Sequence, residues 1–158
     1  MKLMDVLLPE AILLGLESRD KEGAINEFTL RLAQKHIIKD EDRQSVCHAL
    51  TLREKLGSSG IGRKVAVPHT KWPGVERLIV AFGTSADGIE WQSLDGEPVE
   101  LVFLLVSPPD RPGDHLRALE LLSQVLRDDI FCRFLRQSKT VKDVIELATE
   151  WDADYFGE

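Results

Sequence analysis

Glycines at 57, 60 and 62 interrupt the chain, and the run Arg63-Lys64-Val65-Ala66-Val67 that follows them ends on Pro68 and His69. No other stretch restricts the fold as much. Gly57 stops the helical pattern before it, the glycines permit positive φ and uncover backbone amides, and Pro68 removes an N–H and fixes the direction of entry into His69. A helix, a tight turn and a short strand must follow one another, with one imidazole displayed where the strand ends. With an ordinary pKa of about 6.5, a neutral imidazole serves near neutral pH as nucleophile, base or metal ligand. A lone histidine more commonly just ends a buried strand, so the rest of the chain has to decide.

Around this turn the chain alternates between the two periodicities. Ile12 to Glu17 reads as a first strand, and Asp20 is placed to cap a helix whose Ala24, Ile25, Phe28 and Leu32 share a face. Asp40 is placed to cap a second helix, with Val46, Ala49, Leu50 and Leu56 as its apolar stripe and Arg53 on the same line. Strands are expected at Lys64 to Val67, Leu78 to Thr84 and Val99 to Val106, with Asp95-Gly96 supplying a turn before the last. Ser107-Pro108-Pro109-Asp110-Arg111-Pro112-Gly113 breaks the pattern. Asp114 then stands where it can cap a helix through Leu116, Leu119, Leu122, Val125 and Leu126, which puts His115 in that helix's first turn. Helices over Ile130 to Arg136 and Val141 to Thr149 complete the order βααβββααα around a sheet of about four strands. The 158 residues suit one domain over residues 1–150, leaving an acidic, aromatic tail at 151–158 that frays or docks.

Composition removes several function classes. A net charge of −7 opposes binding to a phosphate backbone, so nucleic acid is not an expected partner. Aliphatic runs such as Leu101 to Val106 are far too short for membrane insertion, and the N-terminal residues lack a secretory pattern, so a cytoplasmic location is expected. Cys47 and Cys132 share no redox or metal spacing and are expected as reduced thiols on helices. The spacer from Gly57 to Gly62 matches a P-loop, but Arg63-Lys64 and a strand follow where Lys-Ser/Thr and a helix are needed. His69, His115, His48 and Cys47 lack paired ligand spacing, so no metal or cofactor is expected, and His36 and His48 are assigned no chemistry. Arg53 must either snorkel past the core or point into a cavity holding an anion. His115, at a helix start, meets a dipole that disfavours imidazolium while the same helix amides attract an anion.

Taken together, Arg53-Glu54, Gly57-Ser58-Ser59-Gly60-Ile61-Gly62, Val65-Ala66-Val67-Pro68-His69, Asp95-Gly96-Glu97-Pro98-Val99 and Asp114-His115-Leu116 resemble the EIIA domains of the fructose/mannitol class of the bacterial phosphoenolpyruvate-dependent phosphotransferase system, most of all its nitrogen-regulatory, PtsN-like type. The resemblance spans nearly the whole chain. It implies an α/β (α+β mixed) fold, a three-layer sandwich with a small mixed sheet flanked by helices. It implies that His69 is phosphorylated by the phosphocarrier HPr, that His115 and Arg53 line the same pocket, and that Ser59 and Gly60 help to hold the phosphoryl group. The implied activity is that of a phosphotransferase component passing this group to an EIIB domain for sugar transport or to a regulatory target. A protein-interaction module switched by His69 phosphorylation, or one that has lost phosphotransfer, is the alternative. Band 3-type anion-transporter cytoplasmic domains share the architecture, so fold alone does not fix activity. Two positions depart from the common pattern. Ser59 stands where threonine is common, and Lys64 where glycine is, which strains lysine if the backbone there needs positive φ. Arg63-Lys64 also adds two charges, expected beside the site.

Overall fold

The computed structural model describes residues 1–157. A short helix α1 (Leu3–Val6) leads directly into β1 (Leu7–Leu14), so the first strand starts at Leu7 rather than Ile12. Pro9 falls inside β1, which lies at the sheet edge and slips register between Leu7 and Ile12, where a strand tolerates proline. Asp20 caps α2 (Lys21–Gln34) as expected, accepting from the Gly23 amide at 2.8 Å, and Ala24, Ile25, Phe28 and Leu32 are buried.

The second helix differs in detail. Asp40 opens a 3-10 turn (Asp40–Asp42) instead of capping α3 (Arg43–Leu56), which starts without a side-chain cap. Its buried stripe is Val46, Leu50 and Glu54, while Ala49 is half-buried and Leu56 is 86% exposed. At 100° per residue, Leu56 lies about 120° from the centre of that stripe.

The expected strands become β3 (Val65–Ala66), β5 (Ile79–Ile89) and β6 (Val99–Ser107), and two short strands, β2 (Gly60–Gly62) and β4 (His69–Lys71), join them. Among the described residues the sheet therefore has six strands rather than about four. Three-residue strands are too short to show alternation in sequence. Arg63 (φ 55°) and Lys64 (φ 68°) turn the β2–β3 hairpin, the double positive φ of a type I′ turn. Strand order is β1-β5-β6-β3-β2, with β4 also on β6. β6 runs antiparallel to β5 and parallel to β3 and β4, which follow one another along its other edge.

Alternation along the central strands makes the layers. Leu101, Phe103 and Leu105 of β6, with Val80 and Phe82 of β5, pack against α4 (Pro112–Arg127), α5 (Asp129–Gln137) and α6 (Val141–Phe156). Val102, Leu104 and Val106, with Ile79 and Ala81, face α2 and α3. A mixed sheet between helical layers is the expected architecture.

Two helix boundaries correct the sequence reading. Pro112, not Asp114, opens α4, because its fixed φ suits a first helical position; Asp114 lies inside and pairs with Arg117 at 3.0 Å. Residues 151–156, expected as a tail, continue α6: Trp151 is buried, and Asp152 accepts from the amides of Leu3 (2.7 Å) and Met4 (3.0 Å), capping α1 from across the molecule. Glu158 of that tail lies outside the described residues. Cys47 and Cys132 are free thiols on α3 and α5, as expected. Among the described residues, no helix is long and apolar enough to cross a membrane.

Candidate functional site

The last residues of β6 organise the site. His69 begins β4 opposite Leu105, and Lys71 lies opposite Ser107 at the end of β6. From Ser107 the chain turns through prolines into α4 and carries His115 back over the same sheet end. The two rings meet with centroids 5.6 Å apart and planes at 58°.

His69 is half-buried and held by the residues just before its strand. Its Nδ1 lies 2.8 Å from the Val67 carbonyl oxygen. A carbonyl only accepts, so Nδ1 carries the proton, and whenever the ring is neutral the in-plane lone pair lies on Nε2. That carbonyl is anchored on both sides: the Val67 amide donates to the Ser59 carbonyl at 3.1 Å, and the Pro68 carbonyl accepts from Leu105 at 2.9 Å. Proline also confines the preceding Val67 to extended backbone.

His115 is 7% exposed, and its Nδ1 is hydrogen-bonded with the Ser107 hydroxyl. Burial, then the neighbouring His69 and Lys71, hold its pKa below the ordinary 6.5. It sits fourth in α4 with its amide already bonded to the Arg111 carbonyl at 3.1 Å, so its own N–H is not among the free amides expected at the helix start.

The other candidates are bonded to groups other than the two imidazoles. Arg53 Nη1 donates to the Gly57 carbonyl at 3.0 Å, which closes the C-terminal turn of its own helix, and α3 packs beside β4. Ser59 is buried, its hydroxyl donating to Glu54 and accepting from Trp91 Nε1 at 3.1 Å. The Gly60 amide donates to Ser58 Oγ at 3.0 Å, and a Cβ there would collide with Ser93. Among the described residues, no hydrogen bond joins Arg53, Ser59 or Gly60 to either imidazole. The charges of Arg63 and Lys64 are not beside the histidines. Lys64 precedes Val65, which pairs with Leu101, whereas His69 pairs with Leu105, about 13 Å further along β6. Arg63 bonds the Leu126 carbonyl at 2.5 Å and pairs with Asp129, and Lys64 pairs with Glu100.

Sequence reasoning missed Ser107, read only as the start of a breaker, and a buried group made by Lys21, Glu54 and Trp91. Glu54 lies 3.5 Å from Lys21 Nζ and is 4% exposed. Its spacing from Val46 and Leu50 would have revealed a carboxylate on an apolar stripe.

The chemistry available is an imidazole whose Nδ1 is committed to a backbone carbonyl, beside a second imidazole whose neutral form the fold favours, with the Lys71 ammonium near enough to act on it. Residues 5–151 match the model of the family described as phosphoenolpyruvate-dependent sugar phosphotransferase system, EIIA 2. A nitrogen regulatory protein of Bradyrhizobium diazoefficiens is 35% identical over 144 residues, 91% of this chain and 92% of that protein. The PTS system fructose-specific EIIABC component of Bacillus subtilis is 34% identical over 152 residues, 96% of this chain but 24% of that protein. The crystal structure of the nitrogen regulatory protein IIA-Ntr from Neisseria meningitidis superposes with a TM-score of 0.82 at 28% identity, covering 91% of this chain and 97% of that one.

Proposed function

Because this chain belongs to the EIIA 2 family of the phosphoenolpyruvate-dependent sugar phosphotransferase system, whose members are phosphotransfer components, we propose that it is a phosphohistidine carrier loaded on His69 by an HPr-type protein. The observation that carries this reading is the pairing of the two rings, 5.6 Å apart, with His69 Nδ1 tied to a carbonyl.

In the proposed step the Nε2 lone pair attacks phosphorus, the donor's P–N bond breaks, and its electron pair returns to the donor nitrogen. Nothing is oxidised or reduced. The transition state spreads charge over three equatorial oxygens, so the protein's work is alignment and charge stabilisation. The Ser107 hydroxyl donates to Nδ1 of His115, leaving the proton on His115 Nε2 to donate to the phosphoryl oxygens, with Lys71 adding positive charge. First-turn amides of α4, at Gly113 and Asp114, add partial positive charge at the same end. Arg53 approaches the loaded state by releasing the Gly57 carbonyl, and the turn at Ser59 and Gly60 shapes the approach. Donor and product are both phosphohistidines, so transfer is near balance and reversible. The recipient is an EIIB domain or a regulatory target, and similarity to nitrogen regulatory proteins over most of both chains favours the regulatory branch.

Incubation with phosphoenolpyruvate, Enzyme I and HPr, followed by peptide mapping under basic conditions, should find an acid-labile phosphoryl group on His69. The His69→Ala protein should take up none. Labelling of that variant at the parent's rate would exclude His69 as acceptor.

A further inference from the structure

Between α2, α3 and the glycine turn, Lys21, Glu54 and Trp91 form a buried polar group around Ser59, and no step of the proposed transfer uses those three side chains. Lys21 Nζ lies 3.5 Å from Glu54 Oε2, and the same oxygen accepts from the Ser59 amide at 3.1 Å. The other carboxylate oxygen accepts from the Ser59 hydroxyl. Trp91 Nε1 donates to that hydroxyl at 3.1 Å, so its proton is free only for Glu54 and its orientation is settled. Glu54 thus grips Ser59 by both backbone and side chain.

Burying an ammonium and a carboxylate is a costly way to hold a turn, since well-packed apolar residues of similar volume commonly do as well or better. What the charged group adds is direction, and the direction leads to the nucleophile. The carbonyl of the gripped Ser59 accepts the Val67 amide at 3.1 Å, and the Val67 carbonyl accepts His69 Nδ1 at 2.8 Å. Because Pro68 follows, the peptide carrying that carbonyl has no N–H of its own, so Val67 is steered from the Ser59 side.

We infer that Glu54, held by Lys21, is a positioning residue for His69: through Ser59 and Val67 it keeps the proton on Nδ1 and leaves the lone pair on Nε2. The inference rests on the proposed phosphocarrier role for its consequence, but the tautomer it predicts exists before any phosphoryl group arrives. A free histidine side chain favours the opposite tautomer, with the proton on Nε2, so loosening Val67 has a directed result.

Ring nitrogen spectra of the unphosphorylated protein, by NMR at about pH 8 where imidazoles are neutral, read this directly. The parent should show His69 protonated at Nδ1. Glu54→Gln keeps the volume but cannot accept from both Ser59 groups and answer Lys21, so it should show a mixture with the Nε2–H form. Phosphorylation by HPr should fall about 10- to 100-fold in kcat, as for a misplaced reacting group, with KM within about twofold. An unchanged tautomer overturns the inference whatever the rate, and so does a changed tautomer with unchanged kcat. If Glu54→Gln fails to fold, Ser59→Ala removes only the hydroxyl link, and the same tautomer ratio decides: a shift supports the inference and its absence overturns it. A parent protein that takes no phosphoryl group at all defeats the carrier role, while the tautomer comparison still reports on Glu54.

Discussion

His115 shows how one residue's surroundings set both its chemistry and its pH behaviour. Burial and the adjacent His69 and Lys71 depress its pKa, so the fold favours the neutral ring. In the unfolded chain the group titrates near 6.5, and below that pH the unfolded state binds a proton that the folded state resists. Stability contributed by this residue is therefore present above 6.5 and is lost as pH falls through the window beneath it. Urea midpoints should rise with pH across that window in the parent and rise less in His115→Asn; equal slopes would assign the titration to another group. His69 and His115 were legible in the sequence because a proline and a helix start flank them. Ser107 was not, since nothing local distinguishes a serine that will receive a ring from one that opens a loop.

At the scale of elements, the β2–β3 hairpin carries the strain that its sequence foretold. Lys64 adopts φ 68° where glycine would be at ease, and its pair with Glu100, at 3.9 Å and partly exposed, repays little. Lys64→Gly should raise stability by about 0.5–1 kcal/mol, after the entropy that glycine adds to the unfolded chain. A lower urea midpoint would mean that the Lys64 contacts outweigh the backbone. Helix α3 illustrates the opposite case. Its existence was plain from periodicity, yet its buried stripe ends on Glu54 rather than Leu56, because only the packing of α2, with Lys21, and of Trp91 makes a carboxylate tolerable there.

Across the whole molecule, the two ends of the chain hold each other. Asp152 on α6 accepts both leading amides of α1, and it is 5% exposed. Asp152→Ala leaves those amides unpaired and should cost about 2–3 kcal/mol. Urea denaturation would measure the loss, and amide exchange at Leu3 and Met4 should accelerate first. Protection of those amides equal to the parent's would show that the cap is replaced by another acceptor. This link was not readable from an acidic, aromatic C-terminus, because its partner lies at the far end of the sequence.

What the amino-acid order settled alone was local: that the longer helices and strands exist, where glycine and proline force the chain to turn, and which imidazoles stand near element ends. Those properties depend on backbone sterics and on periodicity within a few residues, so they survive without any long-range contact. The tertiary structure alone decided the pairing of β4 beside β3 on β6, the distance and tilt between the His115 and His69 rings, and the burial of Glu54 against Ser59. Each of these joins segments separated in sequence, and their geometry follows from strand register and interlayer packing, which no window along the chain contains.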